Sequence, residues 1–269
     1  MTVSAVRLNH MTHPATGTET RPPLLIAHGL FGSARNFNTL GRRLATDRRV
    51  VLVDMRNHGE SPWSDETGYE AMASDLAGVI ERECGGHAMV LGHSMGGKSV
   101  MALALTRGEL VAGAIVADIA PVVYDHSHQS FLKAMQAVDL TKVSRRSDAD
   151  PMLADAIPEA PLRAFILQNL DVSGGTARWR LNIAALDRGM DDLIGWPPAL
   201  ETGSYTGPVL FLHGGQSDYV TVEGEEKAQR LFPMADFHAI PGTGHWLHAE
   251  APDVFREVVE GWLRTVEDA

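Results

Sequence analysis

Residues 88–106 read AMVLGHSMGGKSVMALALT and give the clearest indication of fold in the chain. Its apolar run Ala88–Gly92 predicts a strand buried on both faces, and apolar residues at helical spacing predict a helix over Gly96–Thr106. The junction Gly92–Gly96 has the pattern G-x-S-x-G, a sharp strand-to-helix turn that pushes the serine hydroxyl outward. Small residues are needed there because the strained turn leaves no room for side chains. The stretch therefore predicts an α/β fold with Ser94 as a candidate nucleophile.

The same alternation of strand and helix continues on both sides of this stretch. Strands alternating with helices predict a mostly parallel central sheet with helices on both faces. An edge strand is also predicted where apolar and polar residues alternate over Val3–His10. The further predicted strands are Leu24–His28, Val50–Asp54, Ala112–Asp118 and Val209–His213, and the further predicted helices are Asn38–Ala45, Tyr69–Glu83, Glu223–Leu231 and Pro252–Val266.

The alternation stops between Asp118 and Val209. Residues 121–205 are interpreted as short helices broken by proline and glycine, since so long a segment is not expected as a plain loop. We expect a helical cap at 121–205, inserted into a core domain formed by 1–120 and 206–269. The best helix candidates in the cap are Phe131–Val138, Pro161–Leu170 and Ala177–Leu186.

The composition is that of a globular protein, with 44% hydrophobic and 21% charged residues. A net charge of -11 argues against nucleic acid and anionic membrane surfaces as partners. Cys84 is the only cysteine, so no internal disulfide can form. Met1–His10 lacks the pattern of a signal peptide, and no apolar run reaches about 18 residues. We therefore expect a cytoplasmic protein, a monomer or homodimer, acting on a small molecule.

A second motif competes for the same residues. The stretch Gly92–Ser99 also fits the P-loop pattern G-x-x-x-x-G-K-S, in which Lys98 and Ser99 would contact phosphate and magnesium. Both motifs lie between a strand and a helix, so the local context does not decide between them. The rest of the chain has to do so.

Acyl transfer through serine needs a general base and an oxyanion hole, and the chain offers both. His245, in the segment GTGHW after the strand-like run Phe237–Ile240, is the predicted base, with His248 as its nearest rival. The backbone N–H of Met95, the residue after the nucleophile, is one predicted oxyanion donor. Leu30, in the segment HGLFG at 28–32, is the other, with Phe31 next. Because a P-loop protein needs neither segment, a serine hydrolase is favoured.

The acid that orients the base has two candidates. Asp118 ends the strand after the nucleophile helix, and Asp218 follows the strand Val209–His213. Either carboxylate could reach His245 from the carboxyl edge of the sheet. From the residues alone the choice stays open.

With these segments assembled, the chain resembles the α/β-hydrolase superfamily and, more narrowly, the YbfF-type esterases. The resemblance implies hydrolysis of short acyl esters or acyl-CoA thioesters, without cofactor or metal. It also implies Asp118 as the acid, although the chain carries Asp218 at the position more common in the superfamily. The matching segments are HGLFGS at 28–33, VDMRNHG at 53–59, GHSMGGK at 92–98, DIAPV at 118–122 and GHWLHAE at 244–250.

Other residues are interpreted more simply. The polar run at 54–58 is expected to brace the sheet edge, and the pair His126 and His128 lacks the further ligands that a metal site needs. Alternatives with the same triad are a C–C bond hydrolase or perhydrolase, and a non-catalytic receptor could use the same scaffold. The residues expected to line an apolar acyl pocket are Phe31, Met95, Tyr124, Phe131 and Trp246.

Overall fold

The computed structural model of the protein describes residues 4–125 and 128–269. The strands are β1 His10–His13, β2 Leu24–Ala27, β3 Val50–Val53, β4 Ala88–His93, β5 Val111–Ala117, β6 Leu170–Asp171, β7 Arg178–Trp179, β8 Val209–Gly214 and β9 Ala235–Ile240. Seven of these strands form the main sheet in the order β1-β3-β2-β4-β5-β8-β9, in which only β1 runs antiparallel to its neighbour. A separate two-stranded sheet pairs β6 with β7.

Helices connect the strands, and the predicted helices of the core lie within two residues of their observed bounds. Short 3₁₀ helices cover Ala34–Phe37, Gly108–Leu110, Leu140–Lys142 and Pro198–Leu200. The α-helices are α1 Asn38–Leu44, α2 Tyr69–Glu83, α3 Met95–Thr106, α4 Gln129–Ala137, α5 Arg146–Leu153, α6 Ala160–Leu167, α7 Ile183–Arg188, α8 Met190–Ile194, α9 Val222–Leu231, α10 Leu247–Glu250 and α11 Pro252–Glu267.

The central strands are apolar on both faces because helices cover both faces. Alternate residues of β2 enter different hydrophobic clusters: Leu25 packs with α2 and α3, whereas Leu24 and Ile26 pack with α1 and α11. Successive side chains of a strand point to opposite faces, so one short run supplies both cores. Among the described residues, no helix is long and apolar enough to cross a bilayer.

Two predicted elements were wrong. The strand predicted over Val3–His10 begins instead at His10, where Thr12 and His13 pair with β3, and Val3 lies outside the described residues. The helix predicted over Ala177–Leu186 is a strand and then a helix that begins at Ile183. Trp179 pairs with Leu170 and is nearly buried, so tertiary contacts override the helical spacing there.

A buried ion pair fixes the loop after β3 to α2. The Arg56 and Asp75 side chains are both fully buried and share two hydrogen bonds, of 2.7 and 2.9 Å. Further guanidinium N–H groups donate to the carbonyls of Ser4, Glu66 and Ala71. This saturation offsets the cost of removing both charges from water.

Removing one partner of this pair should be far more costly than removing an exposed pair. Asp75→Ala leaves the Arg56 charge buried and should lower the free energy of unfolding by about 3–5 kcal/mol. Urea unfolding measures this change. The matched control is Asp65→Ala, which breaks the exposed pair with Arg188 and should cost about 1 kcal/mol or less. Equal losses of unfolding free energy in Asp75→Ala and Asp65→Ala would contradict the stabilising role given to the buried pair.

Candidate active site

Ser94 lies at the turn between β4 and α3, in a strained backbone conformation with φ 53° and ψ -119°. Two glycines make this turn possible. A Cβ on Gly92 would lie 2.2 Å from the Gly96 carbonyl oxygen, and a Cβ on Gly96 would lie 2.4 Å from the Ala27 oxygen. The serine therefore stands at the amino end of α3, where the helix favours negative charge.

Asp118 and His245 meet across the carboxyl edge of the sheet. His245 Nδ1 lies 2.7 Å from Oδ2 of Asp118, whose side chain is fully buried. The Asp118 carboxylate also accepts the Gly214 N–H at 2.8 Å and the Ser217 hydroxyl at 2.5 Å. These donors hold the carboxylate in one orientation. An Nδ1–H donated to Asp118 leaves His245 Nε2 able to accept a proton.

The other acid candidate, Asp218, is placed differently. It is exposed and lines an open groove with Asp125 and Glu223. Its neighbour Ser217 turns inward and donates to Asp118. The loop after β8 thus supports the buried carboxylate through the serine and exposes the aspartate.

Aromatic and imidazole rings surround His245. The Tyr219 ring stacks on it with centroids 3.9 Å apart. His93 Nε2 lies 2.8 Å from the His245 carbonyl oxygen, a donor position that fixes the loop. Burial lowers the pKa of His93 well below its usual value and that of His248 to about 4, so both rings stay neutral. His248, the rival base, is in α10 and stacks on Phe37.

The loop after β2 carries the predicted oxyanion donor. Phe31 has φ 62°, and its N–H donates to His58 Nε2 at 3.3 Å. That bond commits the Phe31 N–H to structure and favours Leu30 as the donor. Burial lowers the pKa of His58 to about 3, so its other nitrogen keeps a proton and donates to the Arg56 carbonyl at 2.8 Å. Through His58, the polar run at 54–58 thus braces this loop, which lies beside the sheet edge where the brace was predicted.

A residue of segment 121–205 holds the same loop from the other side. Asn169 is buried, and its Nδ2 donates to the Phe31 carbonyl at 2.7 Å and to the Ile166 carbonyl at 3.1 Å. Sequence reasoning missed Asn169, because one asparagine at the end of a short helix carries no catalytic pattern. Phe31 is therefore fixed at its N–H by His58 and at its carbonyl by Asn169.

Lys98 and Ser99 point into the protein rather than toward a phosphate. The Lys98 ammonium is buried, and it donates to the carbonyls of Val122, Ile194 and Gly195 at 2.5–2.9 Å. The Ser99 hydroxyl donates to the Met95 carbonyl at 2.8 Å. Both side chains that a P-loop would use are thus committed to structural hydrogen bonds.

Two cavities lie beside Ser94. The larger, of about 270 Å³, is lined by Phe31, Phe131 and Trp246 together with Ser94 and His245. The smaller, of about 40 Å³, is lined by Ser94 and by the other two residues predicted for the acyl pocket, Met95 and Tyr124. The five predicted pocket residues therefore divide between two cavities instead of lining one.

The structure offers no metal site among residues 4–125 and 128–269, where no group of three or more His, Cys, Asp or Glu side chains could hold an ion. Of the histidine pair noted in the sequence, His126 lies outside the described residues. The His128 ring packs against Phe31 and Phe131.

Comparison with known proteins gives the family. The family described as the alpha/beta hydrolase fold matches residues 22–252. This chain belongs to that family. The hydrolase is 34% identical over 259 residues to the esterase YbfF of Escherichia coli (strain K12), a match that covers 95% of this chain and 99% of that protein.

Two further likenesses agree. The sn-1-specific diacylglycerol lipase ABHD11 of Mus musculus is 41% identical over 255 residues, covering 92% of this chain and 82% of the relative. A solved structure of a marine microorganism esterase has a TM-score of 0.88 at 32% identity, covering 96% of this chain and 99% of that one. The predicted fold, the resemblance to YbfF-type esterases and the enzyme class, a hydrolase of ester bonds, are confirmed.

Removing the Asn169 hydrogen bond that holds the loop after β2 should slow turnover. We expect Asn169→Ala to lower kcat on p-nitrophenyl acetate about tenfold with little change in KM, because the predicted oxyanion hole would stabilise charge that develops in the transition state. Affinity for a trifluoromethyl ketone, which forms an oxyanion on serine, should fall in parallel. Thr141→Ala is the control, since it removes an exposed hydrogen bond to Asp139 in the same segment, away from the loop. An equal fall in kcat in the control would contradict the assignment.

Acid should destabilise the fold through His58. The folded-state pKa is about 3 and the unfolded value about 6.5, so the unfolded chain alone takes up the proton between these values. Stability falls as the pH falls through this window. His58→Gln should reduce the slope of unfolding free energy against pH by about 1.4 kcal/mol per pH unit. Urea unfolding at pH 6 and pH 5, inside this window, tests this, with the exposed His87→Gln expected to keep the wild-type slope.

Proposed function

We propose that this hydrolase cleaves short acyl esters through an acyl-enzyme on Ser94. His245 acts as the general base and Asp118 orients it, and the N–H groups of Leu30 and Met95 form the oxyanion hole. The observation that carries the proposal is the 2.7 Å contact between His245 Nδ1 and Asp118, beside a cavity that Ser94 and His245 both line. The committed N–H of Phe31 supports Leu30 as the donor.

The mechanism follows from these positions. His245 Nε2 takes the hydroxyl proton as Ser94 Oγ bonds to the acyl carbonyl carbon, and the carbonyl oxygen takes the negative charge. The tetrahedral species collapses: the bond to the leaving alcohol breaks, and His245 gives the alcohol its proton. Water then adds to the acyl-enzyme with His245 again as base, and the carboxylic acid leaves as Ser94 Oγ regains a proton.

Asp118 stabilises the imidazolium that forms in each half of this cycle. Its carboxylate is held by the Gly214 N–H and the Ser217 hydroxyl, so little reorganisation is needed when the charge appears. The same acyl chemistry applies to thioesters, so acyl-CoA thioesters are the second substrate class to assay.

The proposal extends to the organisation of the chain. Residues 121–205 act as a cap on a core domain of 1–120 and 206–269, supported by the contacts of Asn169 and Lys98 between these parts. A cytoplasmic location and a monomeric or dimeric state stay predictions.

Burial raises the pKa of the Cys84 thiol to about 12, so the thiol stays protonated at neutral pH. This fits a structural cysteine without a redox role.

Turnover of p-nitrophenyl acetate in the presence of EDTA tests the roles. Ser94→Ala should abolish turnover, and Asp118→Asn should lower kcat by about 10³–10⁴-fold because the imidazole then adopts the wrong tautomer. Mass spectrometry should find the acetyl group on Ser94 in rapidly quenched wild-type enzyme.

Asp218→Asn is the matched control and should keep a kcat near that of the wild type, since this side chain is exposed. A larger loss in Asp218→Asn than in Asp118→Asn would reverse the assignment of the acid. Retained turnover in Ser94→Ala would overturn the nucleophile. Binding of esters without any turnover in the wild type would favour a receptor on this scaffold.

A further inference from the structure

The two cavities beside Ser94 differ in which catalytic residue they reach. Ser94 and Leu30 line both, so both cavities meet at the position where an acyl carbonyl would be attacked. Among the described residues, His245 lines the larger cavity and does not line the smaller one. Met95, the second proposed oxyanion donor, lines the smaller.

This difference between the cavities indicates which one holds the alcohol part of an ester and which one holds its acyl chain. The leaving alcohol must receive its proton from His245, so its oxygen has to face the cavity that His245 lines. The acyl chain extends from the other side of the carbonyl carbon. The larger cavity therefore takes the alcohol part and the smaller cavity takes the acyl chain.

The sizes of the cavities then set the substrate class. The smaller cavity has a volume of about 40 Å³. On the same measure one water molecule needs about 10–15 Å³, so this cavity has room for about three water-sized groups. That space suits an acyl chain of about two or three carbons beyond the carbonyl. The larger cavity, of about 270 Å³, has mainly apolar walls, including Leu162, Phe165 and Trp246.

The wall that α8 contributes to the smaller cavity is fixed to the core by hydrogen bonds. Met190 and Leu193 of α8 line the cavity. The Tyr69 hydroxyl donates to the Leu193 carbonyl at 2.5 Å, and Lys98 donates to the carbonyls of Ile194 and Gly195. Because these donors are buried, moving α8 away would leave the Tyr69 hydroxyl without its acceptor and Lys98 with only the Val122 carbonyl, which is unfavourable. The cavity is therefore held at its small size.

We propose that the enzyme selects esters that join a short acid, of up to about four carbons, to a larger apolar alcohol, with α8 setting the acyl limit. This inference rests on the proposed function. It adds a direction for the bound substrate, which the triad alone does not give.

Two ester series test the direction. In the first, p-nitrophenyl esters carry acyl chains from acetyl to decanoyl; in the second, acetates carry alcohols from methyl to decyl and benzyl. The wild type should lose kcat/KM at least tenfold beyond butanoyl in the first series, and gain kcat/KM with alcohol size in the second. A rise toward long acyl chains together with a preference for small alcohols would overturn the proposal.

Variants locate the limit. Leu193→Ala should shift the preferred acyl chain toward hexanoyl or octanoyl while leaving the order of the alcohol series unchanged. Leu193→Val, a milder truncation, keeps the test usable if the alanine variant folds poorly. The matched control is Leu162→Ala in the larger cavity, which should change the alcohol order and leave the acyl order unchanged.

The outcomes separate this inference from the proposed function. If Ser94→Ala abolishes turnover of both series but Leu193→Ala and Leu193→Val alter only the alcohol order, the serine mechanism stands and the direction of binding is wrong. If Ser94→Ala retains turnover, the proposed function fails first and the inference fails with it.

Discussion

The close approach of two turns at the carboxyl edge of the sheet is the constraint on which the site depends. Gly96 lies against the Ala27 carbonyl, and a Cβ on Gly29 would lie only 3.0 Å from the His93 ring and 3.1 Å from Ser94 Cβ. The glycines let the turn after β4 and the loop after β2 touch. Because these turns carry Ser94 and Leu30, their contact sets the spacing between the proposed nucleophile and the proposed oxyanion donor.

Around that contact, buried polar groups are held by partners of fixed geometry. His58 stays neutral and joins two backbone groups, while Lys98 sits among three carbonyls and lies 4.6 Å from the Tyr124 ring centroid. Burial lowers the pKa of Lys98 to about 7, and the carbonyl contacts act in the opposite sense by favouring the ammonium. The site is thus built on neutral imidazoles and one enclosed cation, so its shape depends on few solvent-exposed charges.

The sequence revealed what depends on local pattern. The turn at Ser94, the loop after β2 and the position of His245 each follow from a short run of residues beside a strand. The choice between Asp118 and Asp218 could not follow in the same way, because each comes after a strand and either could reach His245 in principle. Only the folded chain shows one carboxylate buried under His245 and the other turned to solvent.

Contacts between residues far apart in the chain could not be predicted from the sequence either. Asn169 meets Phe31 over a separation of 138 residues, and no periodicity marks such a pair. Tyr124 and Phe131 lie close in the chain but line different cavities, a division that their positions in the sequence do not show. The helix predicted around Trp179 failed because this residue pairs with Leu170 in a short hairpin, and its indole N–H donates to the Met135 carbonyl, 44 residues away.

The bond from Asn169 to the Phe31 carbonyl has a consequence for the evolution of the enzyme. A cap that only covered the substrate could be exchanged between relatives to change specificity and leave the rate alone. Here segment 121–205, the proposed cap, lines the proposed substrate cavity and also holds the backbone beside the proposed oxyanion donor. With these proposed roles, specificity and turnover would be inherited together, and a grafted cap would have to bring its own amide to the same carbonyl.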